Sequence, residues 1–323
     1  MNVLITGANG LLASNVIVQL IKNGHSVRAM LRDEKNFIDF KHPNLSFIVG
    51  DITNYNDLEL AINGSDYVIH AAAITSLDLL YLTDYHETNV LATKNIIELC
   101  IKNNVKRLVY VSSATCFGYG SLNNLGDESK TIKYPMSKMF YSLSKKEAHI
   151  LVNNSSKELN VITVCPSFMI GTYDTKPSSG KIILMGLKKV IFCPPGGKNF
   201  INVKDAANGV ISALKNGECG QSYILSNENL SYKEFFKKVI KQSKSKSLIV
   251  PIPKGFLFIG GVIGEILRFF KIKTSISIAS LNALTVKTYF TNAKAKKELK
   301  IDFSPIEEGI SEAIEWFESR LRR

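Results

Sequence analysis

A glycine-rich turn near the beginning of the chain constrains the fold more than any other feature of the sequence. It reads Thr6-Gly7-Ala8-Asn9-Gly10-Leu11-Leu12-Ala13 and joins an apolar run at residues 2–5 to a helical pattern at 11–22. The glycines permit a tight turn close to a pyrophosphate, and the free N–H groups of the helix attract an anion. Ala13 is small enough for close helix–sheet packing. The turn predicts a dinucleotide-binding βαβ unit, with cofactor contacts from Gly7, Asn9, Gly10, Leu11 and Leu12.

Short apolar runs alternate with helical patterns through the first two-thirds of the chain. The runs are residues 2–5, 27–31, 45–49, 67–70, 108–111, 161–165 and 223–225, and the helical patterns include 11–22, 89–102 and 138–153. This alternation indicates a parallel sheet covered on both faces. Because 45% of the residues are hydrophobic and 21% charged, the chain can bury a large core, which excludes global disorder. We expect an α/β fold: a doubly wound parallel Rossmann sheet with a smaller, mainly helical substrate lobe.

The alternation loosens after about residue 166, where proline and glycine pairs mark loops. We therefore assign residues 1–170 to the dinucleotide-binding domain and expect 200–226 to rejoin its sheet. Residues 171–199 and 227–323 form the predicted substrate-binding lobe. The two units are thus interleaved along the chain.

The residue after the second strand discriminates between the nicotinamide cofactors. In NAD-binding units an acidic residue at this strand tip accepts hydrogen bonds from the ribose 2′-hydroxyl. Here Leu31 ends the strand and Arg32 follows. A guanidinium would pair with a 2′-phosphate by strong charge-assisted hydrogen bonds. Asp33 would take the position if the strand ran one residue longer. Arg32 favours NADP, with NAD as the second choice.

A tyrosine followed four positions later by a lysine occurs twice, at Tyr134 and Lys138 and at Tyr141 and Lys145. Residues four apart share one face of a helix. Pro135 disfavours a helical conformation at Tyr134, whereas Tyr141 lies in a helical run that continues to residue 151. We predict that Tyr141 and Lys145 form the functional pair.

The pair suits acid/base chemistry on a carbonyl that gains or loses a hydride. Lowering the pKa of a tyrosine from about 10 to about 7 requires roughly 4 kcal/mol. One ammonium about 4 Å away supplies this at an effective dielectric of 20. Lys145 is therefore predicted to lower the pKa of Tyr141 and to hold the nicotinamide ribose. Ser113, after the fifth strand, is predicted to hydrogen-bond the substrate oxygen, with Ser112 as the alternative.

Neither the histidines nor the cysteines are arranged as metal ligands, so no metal site is predicted. His70 follows an apolar strand and is interpreted as packing beside the cofactor.

The order of these motifs resembles that of the extended short-chain dehydrogenases/reductases over most of the chain. The further matching segments are Gly50-Asp51-Ile52, His70-Ala71-Ala72-Ala73, Asn89-Val90, Val111-Ser112-Ser113-Ala114, and residues 200–207 and 295–299. Within that family, residues 27–33 resemble the dihydroflavonol 4-reductase-like branch, which includes 3β-hydroxysteroid dehydrogenase relatives.

The resemblance implies additional cofactor contacts. It implies that Asp51 and Ile52 contact the adenine, and that Ala71, Ala72 and Ala73 line the nicotinamide ribose and phosphates. Asn89 would order the active-site helix and a proton-relay water. Pro166 and Ser167 would lie beside the nicotinamide. Two departures disfavour sugar-nucleotide enzymes: Phe117 replaces the usual tyrosine of a V-Y-G run, and Cys165 replaces an arginine.

We therefore expect an NADP(H)-dependent oxidoreductase that interconverts a carbonyl and an alcohol on a hydrophobic small molecule. An NAD-retaining sugar-nucleotide epimerase or dehydratase is the same-class alternative. A non-catalytic dinucleotide-binding sensor or scaffold is the other alternative, although it has no need for serine, tyrosine and lysine together.

Residues 254–270 are unusually apolar and allow two interpretations. They could form a lobe helix over the active site, or a peripheral membrane helix with Lys254, Arg268, Lys271 and Lys273 at anionic headgroups.

The formal net charge of +12 includes a lysine-rich patch at residues 237–246 and a basic end at Arg320, Arg322 and Arg323. We interpret both as solvated surfaces, so the expected partner is a small-molecule substrate and not a nucleic acid. The formation of a homodimer is kept as an open alternative.

The amino terminus has no basic or cleavable apolar segment and the five cysteines form no C-x-x-C pair, so a cytoplasmic location is expected.

Overall fold

Thirteen strands and twelve α-helices are assigned in the computed structural model, which describes residues 1–321. Arg322 and Arg323 of the basic end lie outside the described residues. The strands are β1 (Asn2–Thr6), β2 (Ser26–Leu31), β3 (Leu45–Val49), β4 (Tyr67–His70), β5 (Arg107–Val111), β6 (Val161–Pro166), β7 (Phe168–Ile170), β8 (Val190–Cys193), β9 (Gly197–Asn202), β10 (Ser222–Leu225), β11 (Glu228–Ser231), β12 (Leu248–Pro251) and β13 (Lys287–Thr288). The helices are α1 (Leu11–Lys22), α2 (Tyr55–Ile62), α3 (Thr83–His86), α4 (Ala92–Lys102), α5 (Phe140–Asn154), α6 (Lys181–Gly186), α7 (Val203–Asn216), α8 (Tyr232–Ser243), α9 (Lys254–Phe269), α10 (Ile278–Ala283), α11 (Ala293–Leu299) and α12 (Ile306–Leu321).

The main sheet has seven parallel strands in the order β10-β6-β5-β4-β1-β2-β3. Its winding reverses between β1 and β4, and sheets of this kind bind ligands at the carboxyl ends of the strands beside such a switch point. The predicted doubly wound parallel sheet is confirmed.

Both faces of the main sheet are covered, which explains the continuous apolar runs. Successive residues of a strand point to opposite faces, so a strand buried on both sides needs apolar residues throughout. In β1, Val3 and Ile5 pack into the core under α1 and α7, whereas Leu4 packs into the core under α2 and α4. All three side chains are fully buried.

The remaining elements build a smaller lobe with its own core. A four-stranded sheet comprises β11, β9, β13 and β7, and a two-stranded sheet pairs β12 with β8, so the lobe also contains strands beside its helices. Phe200 and Phe235 stack at its centre with ring centroids 4.0 Å apart.

The lobe boundaries differ from those expected in three places. Strand β7, expected in the dinucleotide-binding domain, pairs with β9 in the lobe sheet. Strand β9 crosses the expected boundary at residue 200 and lies in the lobe sheet. Helix α11, expected in the lobe, packs on the main-sheet core because Ala295 and Leu299, one helical turn apart, bury their side chains there.

The helices that carry the candidate site begin differently from their sequence patterns. The pattern at residues 89–102 divides into a π-helix, Glu87–Leu91, followed by α4. The pattern at 138–153 begins at Phe140, after a short 3₁₀ turn at Met136–Lys138. Within residues 1–321, no helix has the length and apolar character needed to cross a membrane.

Candidate active site

The glycine turn lies at the switch point between β1 and β4 and has the geometry of an anion site. Gly7 has φ +69°, and a Cβ there would lie 2.7 Å from the Cα of Ala72, so only glycine fits. Gly10 precedes the first turn of α1, which has neither a side-chain cap nor an acidic residue. The side chain of Leu12 is buried, so its backbone N–H is the group that faces an anion. This turn therefore fits the pyrophosphate of a dinucleotide.

Arg32 and Asp33, at the tip of β2, differ in their hydrogen bonds. The carboxylate of Asp33 accepts hydrogen bonds from the backbone N–H of Lys35 and the amide of Asn36, both at 3.0 Å, and thereby caps the next turn. Arg32 is exposed and makes no hydrogen bond with another described residue. A guanidinium in this position is available to an anionic group at the edge of the crevice.

Asp51 lies close to this tip, after β3. The N–H and hydroxyl of Thr53 both donate to one of its carboxylate oxygens at 2.9 Å. The hydrogen bond from the Thr53 N–H lowers the pKa of Asp51, and the charge of Arg32 adds to this effect. Ile52 is partly buried beside it.

His70 connects the glycine turn to the helix that carries Asn89. The hydroxyl of Thr93 donates to the carbonyl of Asn89 at 2.8 Å, so it accepts from Nε2 of His70 at 3.0 Å. Nδ1 is then an acceptor for the hydroxyl of Thr6 at 2.8 Å, and that hydroxyl accepts from the N–H of Ala72. Burial, aided by the charge of Lys145, lowers the pKa of His70 to about 3. His70 is thus a neutral, fully bonded scaffold residue.

Asn89 joins two loops of the site from within the π-helix. Its side-chain oxygen accepts from the N–H of Ile74 at 2.8 Å. Its amide nitrogen donates to the carbonyl of Ile74 and, at 3.0 Å, to the hydroxyl of Ser144 on α5. Because π-bulges are frequent at functional sites, the position of Asn89 is consistent with ordering the helix that bears Tyr141.

Tyr141 and Lys145 lie one turn apart on α5, and Ser113 follows β5 opposite them. The hydroxyl of Ser113 accepts from the hydroxyl of Thr115 at 2.9 Å and lies close enough to Tyr141 to affect its pKa. The ammonium of Lys145 is buried and donates to the carbonyl of Val111 at 2.7 Å. The structure thus brings together the three predicted catalytic residues.

The prediction that Lys145 lowers the pKa of Tyr141 is wrong for this arrangement. Burial raises the pKa of Tyr141, and the nearby hydroxyl of Ser113 opposes this rise. The lysine charge is directed elsewhere: its ammonium binds the carbonyl of Val111 and lies 4.3 Å from the ring centroid of Tyr110. Burial also lowers the pKa of Lys145 to about 8. Tyr141 is therefore a neutral phenol at pH 7, a proton donor.

The alternative residues have other contacts. Ser112 is bonded to Nδ1 of His149 at 3.2 Å within a buried network. The hydroxyl of Tyr134 accepts from the amide of Asn282 at 2.6 Å, and Tyr134 lies before the 3₁₀ turn that contains Lys138. That pair is therefore not on one α-helix.

Two further predicted contacts lie at the ends of neighbouring strands. Pro166 ends β6, and the hydroxyl of Ser167 donates to the side-chain oxygen of Asn199 at 2.7 Å. Ala71 and Ala73 flank Ala72 in the segment after β4. Both segments therefore border the carboxyl edge of the sheet, where Tyr141 lies.

A cleft of about 270 Å³ opens at Tyr141 and is largely apolar. Its walls are formed by Leu77, Leu79, Tyr85, Tyr134, Met139, Phe140 and Ile278, with Lys138, Glu265, Arg268, Ser277 and Ser280 as polar members. Arg268 closes it by donating to the carbonyl of Leu79 at 2.9 Å and to that of Thr274 at 3.0 Å. Sequence reasoning missed Tyr85 and Arg268 as site residues, because no motif links segments this distant in the chain.

Comparisons with known proteins show the family to which the chain belongs. The profile of the NAD dependent epimerase/dehydratase family matches residues 3–226. A "Putative dihydroflavonol 4-reductase" of Synechocystis sp. is 28% identical over 98% of this chain and 94% of its own length. A "3-beta-hydroxysteroid dehydrogenase" of Mycolicibacterium neoaurum is 27% identical, with 98% and 91% covered. The crystal structure of gox2253 superposes with a TM-score of 0.84 at 29% identity, covering 99% of this chain and 98% of that one.

Proposed function

Because this chain belongs to the NAD dependent epimerase/dehydratase family of extended short-chain dehydrogenases/reductases, we propose that it is an NADP(H)-dependent oxidoreductase. It interconverts a carbonyl and an alcohol on a hydrophobic small molecule. The observation that carries the proposal is that Ser113, Tyr141 and Lys145 lie together at the carboxyl edge of the sheet, with Tyr141 lining a cleft beside the glycine turn.

The residues of the crevice would hold the cofactor along its length. The N–H groups of the glycine turn suit its pyrophosphate, Arg32 suits a 2′-phosphate, and Lys145 suits the hydroxyls of the nicotinamide ribose. The chemistry that a bound dinucleotide would supply is the hydride for the carbonyl carbon, with the reduced nicotinamide as the electron donor.

Ser113 and Tyr141 act on the substrate oxygen. The two hydroxyls would donate hydrogen bonds to the carbonyl oxygen, which stabilises the negative charge that develops there. Because burial raises the pKa of Tyr141, its phenol is protonated at pH 7 and can transfer its proton to that oxygen as the alkoxide forms. The same phenol oxygen takes the proton back when the alcohol is oxidised. Hydride and proton together reduce one carbonyl to one alcohol.

The walls of the cleft support an apolar substrate over a sugar nucleotide. Apolar surface exceeds polar surface in its lining, which includes leucine, isoleucine, methionine, phenylalanine and tyrosine side chains, and such surfaces bind hydrophobic ketones or aldehydes. The curated relatives named as a reductase and a hydroxysteroid dehydrogenase support the same reaction class.

Replacing the phenol tests the proposal. Tyr141→Phe should lower kcat for ketone reduction by about 10²–10⁴-fold, because the proton donor is lost, while NADPH binding stays close to that of wild type. Tyr67→Phe is the matched control, since Tyr67 begins β4 at the edge of the sheet opposite the site and should retain turnover. Steady-state kinetics and fluorescence titration with NADPH measure the two effects. Undiminished turnover by the Tyr141 variant would refute the assignment.

A further inference from the structure

One face of α9 exposes large apolar side chains to solvent. We call it the apolar face of α9; it consists of Phe256, Ile259, Ile263, Ile266 and Phe269, with Phe270 immediately after the helix. The exposed fractions of these side chains lie between 52% and 82%. Soluble monomers rarely expose so many large apolar residues in one place, and such patches usually mark an interaction surface.

The packing of α9 prevents this face from turning inward. Gly261 and Gly264 lie on the opposite side, where an added Cβ would be 2.9 Å from the Cα of Ile278 and 2.4 Å from the carbonyl oxygen of Ile276. The carboxylate of Glu265 accepts from the N–H of Ile278 at 3.0 Å. The close backbone contact fixes which side of the helix is buried, so the large side chains stay outside.

Positive charges border the apolar face at both ends. Lys254 begins the helix, and Lys271 and Lys273 follow it; all three are exposed and none has an ion-pair partner within residues 1–321. Between residues 254 and 276 the single acidic residue is Glu265, whose carboxylate is bound to the backbone of Ile278. The surface therefore combines exposed aromatic and aliphatic groups with an uncompensated positive rim.

We propose that the apolar face of α9 docks on an anionic phospholipid membrane. Phe256, Phe269 and Phe270 would enter the boundary between headgroups and acyl chains, and the lysines would contact lipid phosphates. A second copy of the chain fits less well, because a two-fold contact would bring the same lysines of both copies together.

The docking surface and the cleft are two sides of one helix. Glu265 and Arg268 of α9 line the cleft that contains Tyr141. An apolar substrate dissolved in the membrane would thus reach the cleft by a short path; this route rests on the proposed function, whereas docking itself does not.

Vesicle flotation tests the docking with the purified full chain. Wild type should float with vesicles of phosphatidylcholine and phosphatidylglycerol in a ratio of roughly 7:3 and bind pure phosphatidylcholine more weakly. Phe269→Ser with Phe270→Ser should reduce the partition coefficient at least about tenfold, because two exposed aromatic groups are lost. Leu60→Ser is the matched control, since Leu60 is 69% exposed on α2, and it should bind like wild type.

The lysines provide a second, electrostatic readout. Lys271→Gln with Lys273→Gln should weaken binding to the phosphatidylglycerol vesicles on the order of 25-fold, at about fivefold per charge, and leave binding to pure phosphatidylcholine unchanged. The proposal is overturned if the wild-type protein does not float with the vesicles. It is also overturned if the variant with Phe269→Ser and Phe270→Ser binds the vesicles as strongly as wild type. Concentration-dependent dimers that dissociate in that variant, without vesicle binding, would assign the face to a second copy instead. None of these readouts uses catalysis, so they are independent of the proposed function.

Discussion

At the residue scale, the proposed preference for NADPH depends on Arg32 at the strand tip after β2. Arg32→Asp should weaken NADPH binding about ten- to a hundredfold, because the charge-assisted hydrogen bonds to the 2′-phosphate are lost, while NADH binding is kept. Lys35→Asp changes the net charge by the same amount nearby and should leave the preference for NADPH unchanged. Fluorescence titrations with both nucleotides give the four affinities. A wild-type enzyme that prefers NADH would contradict the assignment of Arg32.

His70 makes stability depend on pH. Its pKa is about 3 in the folded protein and about 6.5 when unfolded, so below pH 6.5 the unfolded chain binds the extra proton. Stability is therefore lost as the pH falls from 6.5 towards 3, by roughly 1.4 kcal/mol for each pH unit.

Urea unfolding between pH 6.5 and pH 4.5 measures this contribution. In His70→Gln, the unfolding free energy should change less steeply with pH than in wild type, by about 1.4 kcal/mol per pH unit, which corresponds to one bound proton. His86→Gln is the control, since His86 lies at the exposed surface beside Glu147. An identical slope in wild type and His70→Gln would show that burial does not hold this histidine neutral.

At the element scale, the glycine turn combines a backbone requirement with a steric one. Gly7→Ala would place a Cβ 2.7 Å from the Cα of Ala72 at φ +69°, so it should destabilise the protein by about 1–3 kcal/mol or more and weaken NADPH binding. Gly24→Ala has a similar φ of +76° but nothing within 4 Å of the added carbon. It isolates the backbone cost, which should be about 1 kcal/mol. Equal effects in the two variants would exclude the close approach as the cause.

The elements of the main sheet were predictable because each pattern is local. The runs at residues 45–49 and 67–70 match β3 and β4, because both are short and mostly apolar, although no residue of β3 is fully buried. The pattern at 11–22 matches α1, whose residues are apolar and buried over most of the helix. The π-helix at Asn89 was not predictable from periodicity, since its extra residue per turn is maintained by tertiary hydrogen bonds to Ile74 and Ser144.

The candidate site likewise has a part that the sequence predicts and a part that it does not. The spacing of Tyr141 and Lys145 predicts that both lie on one face of a helix, and they lie one turn apart on α5. Spacing carries no information on where an ammonium points, so the contact of Lys145 with the carbonyl of Val111 was not anticipated. The pKa of Tyr141 was mispredicted for that reason.

At the scale of the whole molecule, the cleft is assembled from three distant segments. Residues 77–85, 134–141 and 265–280 meet only in the folded chain, and Arg268 bonds to carbonyl groups 188 and 189 residues away. Contacts of such separation leave no periodic signal in the sequence. The lobe could therefore be expected from composition and loops, whereas its two sheets and the walls of the cleft could not.

Transfer of isotope label from the cofactor tests the central claim most directly. Wild-type protein is incubated with NADPH deuterated at the reactive C4 position and a panel of aromatic and alicyclic ketones and aldehydes, and the products are analysed by mass spectrometry. Our account predicts one deuterium on the carbinol carbon for each NADP⁺ formed, and label transfer about 10²–10⁴-fold slower with Tyr141→Phe. Label that stays on the nucleotide throughout the panel, with NAD⁺ retained by the protein during conversion of a UDP-hexose to its epimer, would contradict it.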